Sequence, residues 1–229
     1  MSPLSGFSAT VPDFSIEKEL FSQGYKVIAG IDEAGRGALA GPLSLGMVIY
    51  SVPVFFDTPE EITTSIADSK KLSAKKRQEA VPLIMNSALS YTSAFVSHTI
   101  IDSSNINIAT EKGIHKLLEK SAVKPDIIIM DGNFKFKFDI PFLAVIKGDN
   151  RSISIASASI IAKVTRDQLM DKLDCKYPGY GFSGNKGYGT RDHMSSLADI
   201  GYSHIHRKSY EPVKSEIEKQ RLLFDEDNR

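Results

Sequence analysis

The sequence predicts an α/β fold: a mixed five-stranded sheet flanked by helices, with a small helical appendage at the C-terminal end. Three observations carry that expectation. Two short apolar runs, Asp126 to Met130 and Phe142 to Ile146, are interleaved with segments of helical period, as buried parallel strands are. Upstream, Val27 to Asp32 and Leu43 to Tyr50 flank a Gly/Pro-marked turn and read as a hairpin. Downstream, one helix capped by Thr190 and stopped by Gly201, then another opening at Pro212, close the chain without further strands.

Taken in order, residues 1–24 read as an N-terminal extension with a short helix around Ile16 to Phe21. The hairpin follows, and Ser51 to Ala67, with its prolines and acids, reads as a loop. A basic helix starts near Ser73, and Ser90 to Ile101 reads as a strand. In Glu111 to Lys120, Ile114, Leu117 and Leu118 fall at helical spacing. The two apolar strands lead into a long helix, Ser152 to Leu173. Ile153, Ala156, Ile160 and Val164 form its apolar stripe, while Ser152, Ser159, Lys163 and Arg166 line another face. Residues 25–175 thus make the main domain and 176–229 the appendage, and no long linker separates independently folding parts.

Composition narrows the function. The 28 basic and 28 acidic residues cancel, so a nucleic-acid site must be a local basic patch. The single cysteine, Cys175, excludes an internal disulfide and a cysteine zinc site. The N-terminal stretch lacks the cationic start and apolar run of a signal peptide, and no apolar run approaches the roughly 20 residues of a membrane span. A cytoplasmic protein without membrane association is expected.

The chemistry concentrates at strand ends. Asp32-Glu33 closes the first strand, Asp131-Gly132 the fourth, and Lys147-Gly148-Asp149 follows the fifth. If those strands are parallel neighbours, their carboxylates meet at one sheet edge, where α/β ligand sites form. Clustered carboxylates repel unless a cation neutralises them, and oxygen-only ligation selects Mg²⁺ or Mn²⁺ over zinc. Neighbours in a regular strand point to opposite faces, so Glu33 joins Asp32 only if the chain already bends at Glu33, or else through its carbonyl. A helix cap or turn is the ordinary role for Asp131 or Asp149 alone; the same decoration on three strand ends favours the metal site.

Cations and aromatics supply the rest. Gly35-Arg36-Gly37 lets backbone approach a ligand and adds a planar donor fork. Asp68 to Arg77 carries five cations on and before a helix start, an anion site in pattern. His204 to Lys208 reads as a second cationic patch, with no third ligand to make His204 and His206 a metal site. Tyr188, set between glycines, suits stacking on a sugar or base.

Taken together these motifs resemble the ribonuclease HII family, the type 2 ribonucleases H, from about Val27 to Tyr210. The resemblance rests on Asp32-Glu33-Ala34-Gly35-Arg36-Gly37, Asp68-Ser69-Lys70-Lys71-Leu72, Asp131-Gly132-Asn133 and Lys147-Gly148-Asp149. Ser154 through Asp167 and His206-Arg207-Lys208-Ser209-Tyr210 extend it. Ala38 and Gly189 stand where that family usually has proline.

The resemblance implies an RNase H-like fold and endonucleolytic cleavage of RNA in RNA–DNA hybrids. It extends to single ribonucleotides embedded in duplex DNA, with Mg²⁺ or Mn²⁺, leaving 5′-phosphate and 3′-hydroxyl ends. It makes Asp32, Glu33, Asp131 and Asp149 the catalytic and metal-binding carboxylates. Gly35, Arg36, Gly37, Ser69, Lys70, Lys71, Lys163 and Tyr188 become the substrate contacts, with Gly35 to Gly37 sensing the 2′-OH and Tyr188 packing on the next deoxyribose. A monomer acting on hybrid and ribonucleotide-containing DNA is expected. Two rivals remain at this point: a non-catalytic hybrid-binding protein, and an acidic-pocket phosphoryl acceptor using a lysine such as Lys147.

Overall fold

The computed structural model describes residues 11–66 and 73–227. Its elements run α1 (Ser15–Ser22), β1 (Ile28–Ala34), β2 (Leu43–Ile49), α2 (Val52–Phe56), α3 (Glu60–Ile66), α4 (Ala74–Ser87) and β3 (Ser90–Val96). Then come α5 (His98–Ser103), α6 (Ile106–Lys120), β4 (Ile127–Asp131), β5 (Phe142–Val145), a 3-10 turn at Gly148–Asn150, α7 (Ile153–Lys176), α8 (Phe182–Asn185), α9 (Arg191–Ile200) and α10 (Val213–Asp227). The five strands form one sheet in the order β3-β2-β1-β4-β5, with β4 parallel to both β1 and β5. The expected α/β class and mixed sheet are borne out.

Two local expectations are corrected. The stretch expected as a loop holds α2 and α3: Pro53 occupies a first-turn position that needs no N–H donor, and Phe55, Ile62 and Ile66 bury themselves. The third strand stops at Val96 because Ser97 caps α5, its Oγ accepting from the Thr99 N–H at 3.2 Å.

The chain divides into two compact units. The first comprises the described residues of Met1–Ala34, Leu45–Ala94 and Gly113–Val164. Its core joins Ile16 and Leu20 of α1 and Ile28 of β1 to Ile129 of β4 and Ile155 and Ile160 of α7. Helix and sheet press closely here: a Cβ at Gly30 would sit 2.3 Å from the Ser154 backbone, and one at Gly46 2.2 Å from the Ala158 carbonyl. Buried Glu17 of α1 ties down the start of α7, accepting from Ser152 Oγ at 2.6 Å and the Ser154 N–H at 3.1 Å.

The second unit comprises Gly35–Ser44, Phe95–Lys112 and the described residues of Thr165–Arg229. Its apolar clusters are small, one around Ala40, Met170, Tyr180, Phe182 and Ile205, another around Leu39, Leu197 and Val213. Buried polar groups therefore carry much of its organisation. No helix among the described residues is long and apolar enough to cross a membrane.

Candidate active site

The first unit gathers the acidic residues. β1 and β4 pair in parallel with Ile31 opposite Met130, the last pair of their ladder, so the next step brings Asp32 alongside Asp131. Asp131 itself pairs with Val145 of β5. Beyond β5 the chain turns through Lys147, at φ 54°, into the 3-10 turn that carries Asp149. The Gly148 N–H donates to Asp131 Oδ1 at 2.6 Å. A Cβ at Gly148 would meet Ile155 Cδ1 at 2.7 Å and the Asp131 Cα at 3.3 Å, so glycine alone lets this turn lie against the end of β4.

Asp32 and Asp149 are buried, Asp131 and Glu33 half-buried. The Asp32 carboxyl is pushed up to about 7, mainly by burial, with the negative charges of Asp131 and then Asp149 adding to the effect. Hydrogen bonds from the Ser159 side chain and the Glu33 N–H (2.8 Å) oppose the shift. Buried Asp32 thus feels two further carboxylates. β1 remains a strand through Ala34, so the bend expected at Glu33 does not occur. The chain turns at Gly35 (φ +92°), and Glu33 extends from the face opposite Asp32.

An oxygen-only set in which Asp131 and Asp149 raise the proton affinity of Asp32 fits a hard divalent cation, which would offset that repulsion. Among the described residues no trio of His, Cys, Asp and Glu is already closed into a metal-sized cage. The carboxylates of Asp32 and Asp131 stand at neighbouring strand ends. Lys163 sits on α7 one turn after Ser159, hence on the face that meets Asp32, and is half-buried.

The second unit holds the glycine–arginine loop by main-chain contacts. The buried Arg207 guanidinium donates to the carbonyls of Arg36 (2.7 Å), Gly35 (2.7 Å) and Gly41 (3.1 Å). Buried Arg166 does the same for Pro42 (3.0 Å), Ala40 (3.1 Å) and Lys186 (2.7 Å). Gly35 is obligatory, since its Cβ would lie 2.0 Å from Arg166 Nε at a positive φ. Gly37 is different: no atom lies within 4 Å of an added Cβ. The Arg36 fork is directed to Thr110 Oγ1 and Asn107 Oδ1, both at 2.9 Å, and braces α6.

Tyr188 keeps 36% of its surface exposed while Arg166 lies over its ring at 5.5 Å. A directional chain fixes its backbone. The Ser203 N–H donates to His206 Nδ1 (2.9 Å), which leaves the proton of neutral His206 on Nε2, facing His193 Nε2 at 3.0 Å. His193 Nδ1–H then donates to the Tyr188 carbonyl at 2.9 Å. The Tyr188 N–H also reaches the Asn185 carbonyl at 2.9 Å, so Gly189 in place of proline leaves the residue anchored.

The sequence reading of His204 to Lys208 as a cationic patch is corrected: His206 and Arg207 are buried, and only Lys208 of the basic pair is exposed. Ser69, Lys70 and Lys71 lie outside the described residues. Sequence reasoning gave no site role to Ser159, Glu17, Arg166, Arg207 or the histidine pair, although it set Ser159 and Arg166 on one face of the long helix with Lys163 and placed His206 and Arg207 in a cationic patch. Glu17 and Arg166 carried a signal, a charge placed among apolar helix positions.

The ribonuclease HII family model matches residues 29–213. The chain belongs to the ribonuclease HII family. It is 45% identical over 210 residues to a ribonuclease HII of Listeria monocytogenes, covering 91% of this chain and 76% of that one. The ribonuclease H2 of Pyrococcus horikoshii superposes with a TM-score of 0.70 at 26% identity, covering 85% of this chain and 99% of that one. Bst-RNase HIII, solved in complex with Mn²⁺, shares the fold, with a TM-score of 0.61 at 18% identity over 84% of this chain and 70% of that one. The chain is therefore a ribonuclease H, an endonuclease on RNA–DNA hybrids, and neither rival reading is favoured.

Proposed function

We propose that this ribonuclease HII cleaves at single ribonucleotides in duplex DNA as well as within continuous hybrids, and that Asp32, Glu33, Asp131 and Asp149 hold Mg²⁺ or Mn²⁺ for that purpose. The observation that carries the reading is the repulsion that buried Asp32 feels from Asp131 and Asp149. A bound divalent cation would neutralise the carboxylates and supply a water activated for attack.

The chain's own groups do the positioning. Ser159 and the Glu33 N–H hold the Asp32 carboxylate, the Gly148 N–H holds Asp131, and Glu33, whose side chain leaves the opposite face of β1, contributes through its backbone carbonyl. Water attacks phosphorus in line with the departing 3′-oxygen; the new O–P bond replaces P–O3′, leaving 5′-phosphate and 3′-hydroxyl ends. The loop that follows β1 in the chain offers Gly35 to Gly37 backbone to the 2′-OH, a group able both to donate and to accept. Arg36 keeps that loop in place, Tyr188 packs on the adjoining sugar, and Lys163 with Ser69, Lys70 and Lys71 meets phosphates. The enzyme acts as a monomer.

The test uses three duplexes: all-DNA, DNA with one ribonucleotide, and continuous hybrid. Cleavage of the latter two, abolished by EDTA and restored by Mg²⁺ or Mn²⁺, is expected. Cleavage of the continuous hybrid alone would remove the junction reading, and EDTA-resistant cleavage would remove the metal site.

A further inference from the structure

The segment that leaves the catalytic strand carries a pattern the site above does not use. Asn133-Phe134-Lys135-Phe136-Lys137-Phe138 alternates aromatic and cationic residues directly after Asp131-Gly132. In the structure the three phenylalanines are half-buried while Lys135 and Lys137 are exposed. The alternation is that of an extended chain, which turns one set of side chains inward and the other outward.

The aromatic side is locked. Phe134 and Phe136 stack with centroids 4.8 Å apart, and Phe136 and Phe138 meet Phe142 of β5 at 5.7 and 5.5 Å. Phe138 also packs edge-on to His115 of α6 at 5.2 Å. The Phe134 ring folds back over Gly132, where an added Cβ would lie 2.6 Å from it. The two ammonium groups are therefore displayed from a fixed base, which reduces the entropy lost when they bind a ligand. No ion pair ties either lysine to a described residue.

We infer that Lys135 and Lys137 form an accessory site for the sugar–phosphate backbone of the substrate duplex, away from the scissile bond. The inference rests on the nuclease reading above and extends it. Reach sets the location. At most about 3.5 Å of chain per residue puts Lys135 within roughly 14 Å of Asp131, and Lys137 within roughly 21 Å. A duplex strand advances about 3.4 Å per nucleotide, so both ammonium groups fall within roughly four to six nucleotides of the cleaved phosphate. Their own separation, about 6.6 Å along an extended chain, exceeds one nucleotide step, so each meets its own phosphate.

The experiment measures hybrid binding in EDTA against salt concentration for the wild type, Lys135→Ala/Lys137→Ala and Lys135→Arg/Lys137→Arg. The phenylalanines are untouched, and melting curves verify the fold. Each lost phosphate contact lowers the slope of log Kd against log salt by about 0.7–0.9, so the alanine pair should lose about 1.5 of slope and the arginine pair none. The kcat on saturating hybrid with Mg²⁺ should stay within about twofold, since neither lysine touches the reacting atoms. Trimming the hybrid stepwise from one end should erase the difference between wild type and alanine pair, and trimming from the other should not. An unchanged slope, with wild-type cleavage intact, would overturn this inference and leave the lysines as guards of the β5 sheet edge. A wild type that fails to cleave would instead strike the nuclease reading itself.

Discussion

The acidic rim of the sheet and the loop that follows it in the chain are built on opposite principles. At the rim, Asp32, Asp131 and Asp149 crowd like charges into a buried space, and the Asp32 proton affinity rises accordingly. In the loop from Gly35 to Pro42, two buried guanidiniums donate six hydrogen bonds, five of them to loop carbonyls. One region stores repulsion that a cation would release; the other is braced before any ligand arrives. A metal centre needs the first property, because affinity for the ion comes from relieved charge. Reading one hydroxyl on a sugar needs the second, because discrimination depends on donors that do not yield.

The largest effect expected from breaking this contrast is at the rim. Asp131→Asn should reduce cleavage to about 1% or less, since it removes a ligand charge, while hybrid binding holds or tightens. The same change should raise the melting temperature measured in EDTA, because Asp32 loses its first charged neighbour. A variant that melts lower and binds less would show Asp131 to be structural.

Arg207→Met probes the loop in the opposite sense. It strips donors from the carbonyls of Gly35, Arg36 and Gly41, at a cost of about 3–5 kcal/mol. For a chain of this length that lowers the melting temperature by roughly 6–20 °C. Unchanged melting would mean that water replaces the guanidinium and that the brace is dispensable.

Acidity separates the two regions in one sample. Asp32 has a folded pKa of about 7, above an unfolded value near 3.9, so its folded form keeps the proton longer. Its burden on stability is absent below about pH 3.9, grows as pH rises and is complete above about 7. His206 behaves oppositely, its folded pKa lowered to about 4 by burial and by His193, against about 6.5 unfolded. Its contribution is complete above about 6.5 and is lost as pH falls toward about 4, an effect of up to about 3 kcal/mol. In EDTA the two contributions therefore oppose each other between about pH 4 and 6.5 and largely cancel. Mg²⁺, by holding Asp32 ionised, should unmask the His206 loss, so that melting temperature falls as pH drops toward about 4. Mg²⁺ that raises the melting temperature equally at about pH 4 and about pH 8 would place its binding elsewhere.

Much of the rim was legible because its signal is local. Each acid closes or follows an apolar run short enough to be a buried strand. The parallel pairing of β1 with β4 follows from the helices between them, whereas β4 reaches β5 through residues 132–141 without a helix. The bend expected at Glu33 failed because β1 stays a strand through Ala34, past its last pairing with β4 at Ile31, and the turn waits for Gly35. The loop's bracing was not legible. Arg207 reaches carbonyls 166 to 172 residues away, and beside His206 and Lys208 it reads as surface charge. Arginine on main-chain carbonyls leaves no acidic partner in the sequence to reveal it. Tyr188 was legible as an aromatic among glycines, but the His193–His206 chain that holds it joins two segments with no shared periodicity.

Tyr188 tests how far the brace serves the substrate. Tyr188→Ala should lose roughly 1–3 kcal/mol of substrate stabilisation, and Tyr188→Phe less if the ring packs. Compared on single-ribonucleotide and continuous substrates, a loss confined to the first assigns junction choice to the ring. An equal loss on both assigns it positioning only, and loss on neither removes it from the substrate contacts.

The smallest effect on the fold, and the sharpest test of the comparison, belongs to Gly37. Gly35→Ala must strain a φ of +92° and drive a methyl into Arg166, so it should destabilise the protein whatever the substrate does. Gly37→Ala meets no atom within 4 Å and no positive φ, so its stability should stay within about 0.5 kcal/mol of the wild type. The fold therefore gives no reason for glycine at this position. A ligand does: a methyl here occupies space that a ribose would need to bring its 2′-OH to the backbone. Cleavage by Gly37→Ala should fall more than hybrid binding, and more on a single embedded ribonucleotide than on continuous hybrid, while the melting curve overlays the wild type. If cleavage of both substrates is untouched, the loop's rigidity serves something other than the sugar, and the 2′-OH must be read by another part of the molecule.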